Sequence, residues 1–187
     1  MKFPRLKRSF FIRDTLTVAK ELLGKYLVRR IKVGKIVETE AYIGPGDRAS
    51  HAYGGRLTKR NKTEYLIGGH IYIYLCYGMY WQLNITTERA GKPECLLIRA
   101  LEPLDEKSKS KKVASGPGKL CKWMKLDKSF DGEDLTKSKR IWLEDRGFKL
   151  KSSQIQAAKR IGIDYAGSWA KKPWRFYLKG NPFVSRK

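Results

Sequence analysis

The chain has 187 residues, with 41 Lys or Arg against 18 Asp or Glu and a formal net charge of +23. Hydrophobic residues make up 41% and aromatic residues 12% of it, which excludes a disordered chain, because disorder requires low hydrophobicity as well as high charge. The length predicts one domain over residues 1–187, and the charge predicts a polyanionic partner, with nucleic acid favoured over an anionic membrane surface.

The first predicted element is a helix that packs on the core. Apolar residues at positions 16, 19, 22 and 23 follow helical spacing. Asp14 or Thr15 is the predicted N-cap, and Gly24 is the predicted stop. Residues 26–28 then form a predicted strand, and Gly34 a predicted turn.

The next predicted strand, residues 35–42, carries two carboxylates in an otherwise apolar run. Alternation along a strand sends Glu38, Glu40 and Tyr42 to one face. A solvated face is the ordinary interpretation, because charged residues are mostly exposed. A catalytic interpretation stays open, because His51, one of only two histidines, follows shortly after the strand.

An aromatic β-hairpin is predicted near the middle of the chain. Residues 71–76 alternate aromatic and aliphatic side chains, and residues 79–85 return after a tip at Tyr77 and Gly78. Aromatic residues are common in sheet cores, and that interpretation stays open for Tyr72 and Trp81. Tyr72 shares a face with Tyr74. Large side chains gathered at the tip favour insertion into a base stack; they are Tyr77, Met79 and Tyr80.

Residues 94–101 form a predicted strand that contains Arg99. A buried guanidinium needs an acceptor, so we expect Arg99 to meet the carboxylate face that carries Glu40. Residues 105–112 are highly charged and predict a solvated loop. Small residues at 115–118 precede a predicted helix near Lys119. The free amides at the start of this helix, together with the Lys119 ammonium, would hold a DNA phosphate. The remaining predicted elements are a short strand, a brief helix and a final basic strand, at 141–143, 152–160 and 171–178.

Several classes of site are not expected. No run approaches the 18 or so apolar residues of a membrane-spanning helix, and the first residues lead into no signal-type apolar core. Three widely spaced cysteines and two separate histidines form no metal-binding pattern. We therefore expect an intracellular protein of the cytoplasm and nucleoid, or of the nucleus in a eukaryote, with no metal, no cofactor and no membrane contact.

The residues together predict chemistry on a nucleic-acid base. An enzyme that acts on a base inside a duplex must extrude the nucleotide, stack the base between rings and fill the gap with a wedge. A non-catalytic basic nucleic-acid binder, which stacks bases for affinity alone, is the alternative. A metal-assisted nuclease is a weaker one, because residues 36–60 offer only three carboxylates.

Short motifs that occur in the same order in a known family extend over nearly the whole chain. They lie at 36–42, 51, 54–56, 60–61, 72–80, 83–85, 96–103, 115–121, 128–131 and 172–177. In these motifs the chain resembles the alkyladenine, or 3-methyladenine, DNA glycosylases. Residues 52–53 and 62–65 depart from the form of the mammalian members. We expect an α+β fold: a single domain with a mixed, largely antiparallel curved sheet, a protruding aromatic β-hairpin and surrounding helices.

The resemblance implies a monomeric base-excision repair enzyme that flips alkylated or deaminated purines out of double-stranded DNA and hydrolyses the N-glycosidic bond. It implies that Glu40 activates the attacking water and that Arg99 helps to orient it. The base pocket would be formed by Tyr42, His51 and Tyr74, with Asn84 at its floor disfavouring normal guanine. Tyr77 would fill the vacated place in the stack, and other DNA contacts are assigned to Arg56, Met79, Tyr80 and Lys119.

One carboxylate is expected to be enough for this chemistry. Glu38 is assigned no catalytic part, because one strand does not place its own two carboxylates on opposite sides of a sugar. A cationic alkylated purine is already a good leaving group, whereas a neutral base such as hypoxanthine needs a proton, for which His51 is the candidate. No lysine stands out as a Schiff-base nucleophile, so we expect water attack without strand cleavage.

Overall fold

An eight-stranded sheet organises the fold in the computed structural model, which describes residues 3–186. Residues 1, 2 and 187, the ends of the predicted domain, lie outside the described residues. The strands are β1 (Tyr26–Arg29), β2 (Lys32–Ile43), β3 (Ile71–Cys76), β4 (Tyr80–Thr86), β5 (Glu94–Pro103), β6 (Trp142–Glu144), β7 (Ile155–Ala158) and β8 (Arg175–Leu178). Every strand pairing among the described residues is antiparallel, which confirms the predicted α+β class with a largely antiparallel sheet.

Among residues 3–186, four short α-helices accompany the sheet: α1 (Arg8–Phe11), α2 (Thr15–Glu21), α3 (Glu106–Ser110) and α4 (Pro117–Met124). The predicted cap of α2 is Asp14, whose Oδ1 accepts a hydrogen bond from the Thr17 amide at 2.8 Å. Helix α2 ends at Glu21, three residues before the predicted stop at Gly24, which has a φ of 82° in the turn that follows. No helix in residues 3–186 is long and apolar enough to cross a membrane.

Strand β2 is the central strand of the fold. The main sheet runs β3-β4-β5-β2-β1-β6, so β2 has β5 along one edge. Its other edge pairs with β1 near its start and with β8 at residues 38–40. The register with β5 shifts on both sides of Glu38. Side chains in the second half of β2 are therefore surrounded by backbone from several distant parts of the chain.

The hydrophobic core lies between this sheet and the helices. Residues of α2, β2, β3, β5 and α4 belong to one buried cluster. Its members with no exposed surface include Leu22, Ile36, Ile73, Ile98 and Leu120. Because these residues come from the whole length of the chain, one shared core holds the central strand in place.

The predicted turn at Gly34 is wrong. Gly34 lies inside β2, and the chain reverses earlier, at Arg30, which has a φ of 52°, and Ile31, which is 96% exposed. A Cβ added to Gly34 would lie 2.9 Å from the Cβ of Leu101 on β5 and 3.2 Å from the Trp123 ring. Glycine is needed here for close packing across the sheet.

Two other predicted elements differ from the structure. The charged segment 105–112, predicted as a loop, contains α3, which Asp105 caps by accepting the Ser108 amide at 2.8 Å. The brief helix predicted at 152–160 is wrong: only a 3₁₀ turn, Ser152–Gln154, precedes strand β7. Pairing of β7 with β8 supplies backbone partners that no local pattern could reveal.

Candidate active site

A cavity of about 690 Å³ lies where β2 to β5 meet the loop after β7. It collects most of the residues that the sequence singled out: Tyr42, His51, Tyr74, Tyr77, Tyr80, Asn84 and Arg99 all line it. Glu40 has no exposed surface and lies behind this wall, in contact with lining residues. The cavity therefore combines an aromatic surface with a buried carboxylate beside it.

The Glu40 carboxylate accepts three hydrogen bonds. Its Oε1 accepts from the Tyr42 hydroxyl at 2.7 Å. Its Oε2 accepts from Arg99 Nη1 and from the Ile161 amide, each at 3.1 Å. An ionised carboxylate has about four acceptor positions. The three donors found within residues 3–186 therefore leave one position, on Oε1.

Burial raises the pKa of Glu40, while Arg99, Tyr42 and the Ile161 amide oppose the shift. Burial and the neighbouring Glu40 charge in turn raise the pKa of Tyr42, so its hydroxyl keeps its proton and remains a donor. Glu40 is thus a carboxylate that binds a proton more readily than an exposed glutamate. This property suits a general base that must take a proton from water.

The interpretation of a solvated strand face is wrong, because Glu38 and Glu40 are both fully buried. Glu38 Oε1 lies 2.8 Å from Arg175 Nη1, and its Oε2 accepts from the Ser185 amide at 2.7 Å. Arg99 Nε lies 3.5 Å from Glu38 Oε1, so the Arg99 guanidinium lies between the two carboxylates. The predicted meeting of Arg99 with the acid face is confirmed by these distances.

Aromatic rings form one wall of the cavity. The Tyr74 ring centroid lies 4.6 Å from that of His51 and 5.4 Å from that of Tyr72. Tyr72 is fully buried, as a core residue would be, yet its hydroxyl lies 2.7 Å from His51 Nδ1. Tyr72 therefore belongs to both the core and the cavity wall, and it orients the His51 ring.

His51 is neutral near physiological pH. Although the residue is partly exposed to solvent, the protein packed around its ring, together with the Arg60 charge, lowers its pKa to about 4. Arg60 also lies over the Tyr74 ring, at 5.0 Å from its centroid. A ring that is almost wholly unprotonated at pH 7 is a poor proton donor to a leaving base.

The hairpin formed by β3 and β4 presents large side chains to solvent. Tyr77 is 84% exposed, Met79 68% and Tyr80 53%. Tyr77 and Gly78 have φ values of 51° and 68°, and the Met79 amide donates to the Cys76 carbonyl at 3.1 Å. Two positive φ values at the centre of such a turn are typical of type I′ hairpins, but a tyrosine there is uncommon.

The remaining predicted DNA-contacting residues lie outside the cavity lining. Arg56 and Lys119 are exposed. Helix α4 begins at Pro117, which does line the cavity, and Gly118 lies against the hairpin: a Cβ there would be 3.0 Å from the Tyr80 ring. The start of α4 is therefore adjacent to the exposed end of the hairpin.

A buried ion pair supports the Tyr42 side of the cavity and was not predicted from the sequence. Arg160 Nη2 lies 2.8 Å from Asp47 Oδ1, and neither side chain has any exposed surface. The Arg160 guanidinium is 5.1 Å from the centroids of both the Tyr42 and Trp174 rings. Asp47 and Arg160 are 113 residues apart, and no sequence pattern around either residue indicates this contact.

Other lining residues were also missed by the sequence analysis. They include Glu64, Cys95 and the loop residues Ile161 and Ile163. Within the part of the chain that the structure describes, no group of three or more His, Cys, Asp or Glu side chains is arranged to hold a metal ion.

Comparison with known proteins bears on this site. The model of the family described as Methylpurine-DNA glycosylase (MPG) matches residues 9–182. The DNA-3-methyladenine glycosylase of Mus musculus is 43% identical over 97% of this chain and 61% of its own length. The corresponding Homo sapiens protein is 40% identical over 97% of this chain and 68% of its own. A Clostridium perfringens protein, provisionally named a 3-methyladenine DNA glycosylase, is 47% identical over 98% of this chain and 100% of its own.

Proposed function

The chain belongs to the methylpurine-DNA glycosylase family, and from that premise we propose how its cavity releases a damaged purine from DNA. It is a DNA repair glycosylase, a hydrolase that acts on N-glycosyl bonds. Its proposed substrates are alkylated purines, with 3-methyladenine as the base in its relatives' names, and deaminated purines such as hypoxanthine. The non-catalytic binder is set aside, because the whole family match is to enzymes.

The damaged nucleotide is extruded from the duplex, and its base enters the cavity. An atom inside a stacked duplex is out of reach of a buried carboxylate, so extrusion must precede chemistry. The base stacks between Tyr42 on one side and the His51 and Tyr74 rings on the other. This arrangement is supported by the presence of all three rings in the cavity lining. The Arg160 guanidinium lies over the Tyr42 ring and holds that ring in place. Asn84, in the same lining, takes the floor position.

Glu40 is the general base for the attacking water. The observation that carries this proposal is the hydrogen bonding of its carboxylate: Tyr42, Arg99 and Ile161 hold it, and one acceptor position on Oε1 remains for water. Arg99 stabilises the ionised form of Glu40 and orients it. Glu38 takes no part in the chemistry, because Arg175 and the Ser185 amide already engage it.

A cationic purine needs no general acid, since the positive charge leaves with the base. Aromatic rings attract such a cation through their faces, by about 0.5–2 kcal/mol for each ring. A site with one catalytic carboxylate and aromatic walls therefore favours alkylated, positively charged purines over normal bases. Water attack also predicts an abasic product without strand cleavage.

Tyr77 enters the duplex at the place that the nucleotide leaves. Its large exposed ring, on a turn next to the cavity, supports the role of a wedge. Met79 and Tyr80 flank it, and Arg56 and Lys119 contact the phosphate backbone. The net charge of +23 supplies the long-range attraction to DNA. The protein acts as a monomer on double-stranded DNA.

Base release from DNA methylated with dimethyl sulfate tests this proposal. The wild-type protein should release 3-methyladenine, and Glu40→Gln should lower the single-turnover rate by about 10²-fold or more while binding of the DNA changes little. Glu38→Gln is the matched control, because it alters a buried carboxylate two residues away on the same strand. We expect it to lose stability but to keep most of its activity. A Glu40→Gln protein that still turns over would refute the role of Glu40.

The absence of strand cleavage has its own test. Reaction in the presence of borohydride should leave no covalent adduct between protein and DNA, because no lysine forms a Schiff base in the proposed mechanism. A trapped adduct would show that an amine of the protein attacks the sugar.

A further inference from the structure

Glu64 is a buried glutamate among the residues that line the cavity, and it has no part in the mechanism above. Glu64 lies in a 3₁₀ helix, Lys62–Tyr65, and is only 2% exposed. Its Oε1 accepts a weak hydrogen bond from Cys95 Sγ at 3.3 Å. Its Oε2 is buried and has no hydrogen-bond partner among residues 3–186. A buried carboxyl oxygen without a partner, on a residue that lines a base-sized cavity, points to a hydrogen-bonding group on the ligand.

The surroundings of Glu64 favour its protonated form. Burial raises its pKa to about 7, against the opposing effects of the Cys95 thiol and the Arg60 charge. Strand β4, which packs against this helix, carries no charged residue. The other titratable or charged groups that face Glu64 are Arg60 and Tyr65 in its own loop, Tyr72 on β3 and Cys95 on β5. Asp131 is close to this helix as well, since it accepts a hydrogen bond from the Thr63 hydroxyl. Within residues 3–186, Glu64 has no ion-pair partner.

We propose that the Glu64 carboxylic acid donates a proton to neutral purines held in the cavity, a role that rests on the proposed glycosylase function. The structure favours Glu64 over His51, because Glu64 is a cavity-lining residue whose buried Oε2 has no hydrogen-bond partner among residues 3–186. His51 is the poorer acid, because its ring is neutral near pH 7. A carboxylic acid kept neutral by its site can donate where an ordinary, ionised glutamate could not.

The proposed step balances without any added reagent. The Glu64 proton moves to a ring nitrogen of the purine, and the bond between C1′ and N9 breaks with its electron pair passing to the base. The water oxygen bonds to C1′, and the water proton passes to Glu40. The free base and the sugar hydroxyl are the products. Glu64 is left ionised and Glu40 protonated, and both return to their starting forms by exchanging one proton each with solvent.

Single-turnover release of two bases by Glu64→Gln tests the assignment. Hypoxanthine in a synthetic duplex is the neutral substrate, and 3-methyladenine in methylated DNA is the cationic one that needs no proton. Glu64→Gln should lower hypoxanthine release by about 10²-fold or more and change 3-methyladenine release by less than about threefold. The matched control is Glu94→Gln, a buried carboxylate beside Cys95 that does not line the cavity, and it should leave the ratio of the two rates unchanged.

The pH dependence of the wild-type protein provides a test that needs no variant. Only protonated Glu64 donates, so hypoxanthine release should fall relative to 3-methyladenine release as the pH rises through about 7. In Glu64→Gln this fall in the ratio should disappear.

The assignment would be overturned by an unchanged rate on hypoxanthine in Glu64→Gln, by equal losses on both bases, or by a wild-type rate ratio that does not vary with pH. A wild-type protein that releases 3-methyladenine but no hypoxanthine would refute the role of Glu64 and leave the glycosylase function standing. Release of neither base would refute both.

Discussion

Replacing Arg99 with leucine removes the guanidinium that lies between the two buried carboxylates of β2. Arg99 Nη1 is 3.1 Å from Glu40 Oε2, and its Nε is 3.5 Å from Glu38 Oε1. In the variant, Glu38 keeps Arg175 as an ion-pair partner. Glu40 keeps only uncharged hydrogen-bond donors, the Tyr42 hydroxyl and the Ile161 amide. The main effect should therefore fall on Glu40.

The expected loss of stability is large. Removing one partner of a buried ion pair costs about 3–5 kcal/mol, because the other charge stays buried without compensation. Each kcal/mol lowers the Tm of a domain of this length by roughly 2–4 °C, so we expect a fall of roughly 6–20 °C near neutral pH. Protonation of Glu40 limits the loss, since the neutral carboxyl needs no cation.

This protonation gives the prediction a distinctive pH dependence. Arg99 opposes the upward shift that burial imposes on the pKa of Glu40, so its removal should raise that pKa further. A group whose pKa is raised on folding stabilises the fold fully at low pH and loses that contribution as the pH rises through its folded pKa. Arg99→Leu should therefore be more destabilising at about pH 8 than at about pH 5. Because the ionised carboxylate is the active form in the proposed mechanism, the acid limb of base release should move to higher pH.

Urea denaturation at both pH values and single-turnover release of 3-methyladenine across pH measure these effects. Arg99→Lys is the control, because it keeps a positive charge and loses only the second contact of the planar guanidinium. It should lose less stability and shift the acid limb less. Equal destabilisation of Arg99→Leu at the two pH values, together with an unmoved acid limb, would refute this account of Glu40.

Two further predictions concern the hairpin and the support of Tyr42. Tyr77→Ala should weaken binding to a lesion duplex by about 1–3 kcal/mol, the usual contribution of base stacking, as measured by fluorescence anisotropy. Ile31→Ala, at the exposed turn between β1 and β2, should not weaken this binding. Equal effects of the two substitutions would contradict the wedge role. Asp47→Asn should cost about 3–5 kcal/mol in chemical denaturation, because Arg160 stays buried and unpaired. Asp145→Asn, which breaks a partly exposed pair with Lys25, should cost about 0–1 kcal/mol, and a similar cost for both would contradict this reasoning.

The sequence was most informative where local rules decide structure. The N-cap of α2 depends on contacts within one turn, and Asp14, one of the two predicted residues, fills it. The helix also ends before Gly24, whose positive φ lies in the turn that follows. The hairpin tip at Tyr77 and Gly78 depends only on backbone conformation and strand alternation, and the chain turns there. Arg99 was placed beside Glu40 because a buried guanidinium needs an acceptor, which is a chemical rather than a geometric constraint.

Local rules failed where distant segments meet. Gly34 has the composition of a turn but occupies a strand, because Leu101 of β5 packs against its backbone. Residues 155–158 have no strong strand pattern but pair with β8. In each case the deciding contact comes from a part of the chain more than 15 residues away, which a periodic pattern does not encode.

The sequence by itself determined the family, most of the strands and the acid and aromatic character of the candidate site. Only the tertiary structure decided which carboxyl groups are buried and what each of them touches. It made Glu38 a partner of Arg175, left Glu64 with an unengaged oxygen on the cavity wall and made His51 neutral. The reason is physical: the protonation of a side chain depends on desolvation and nearby charge, and both come from residues that lie close in space but far apart along the chain.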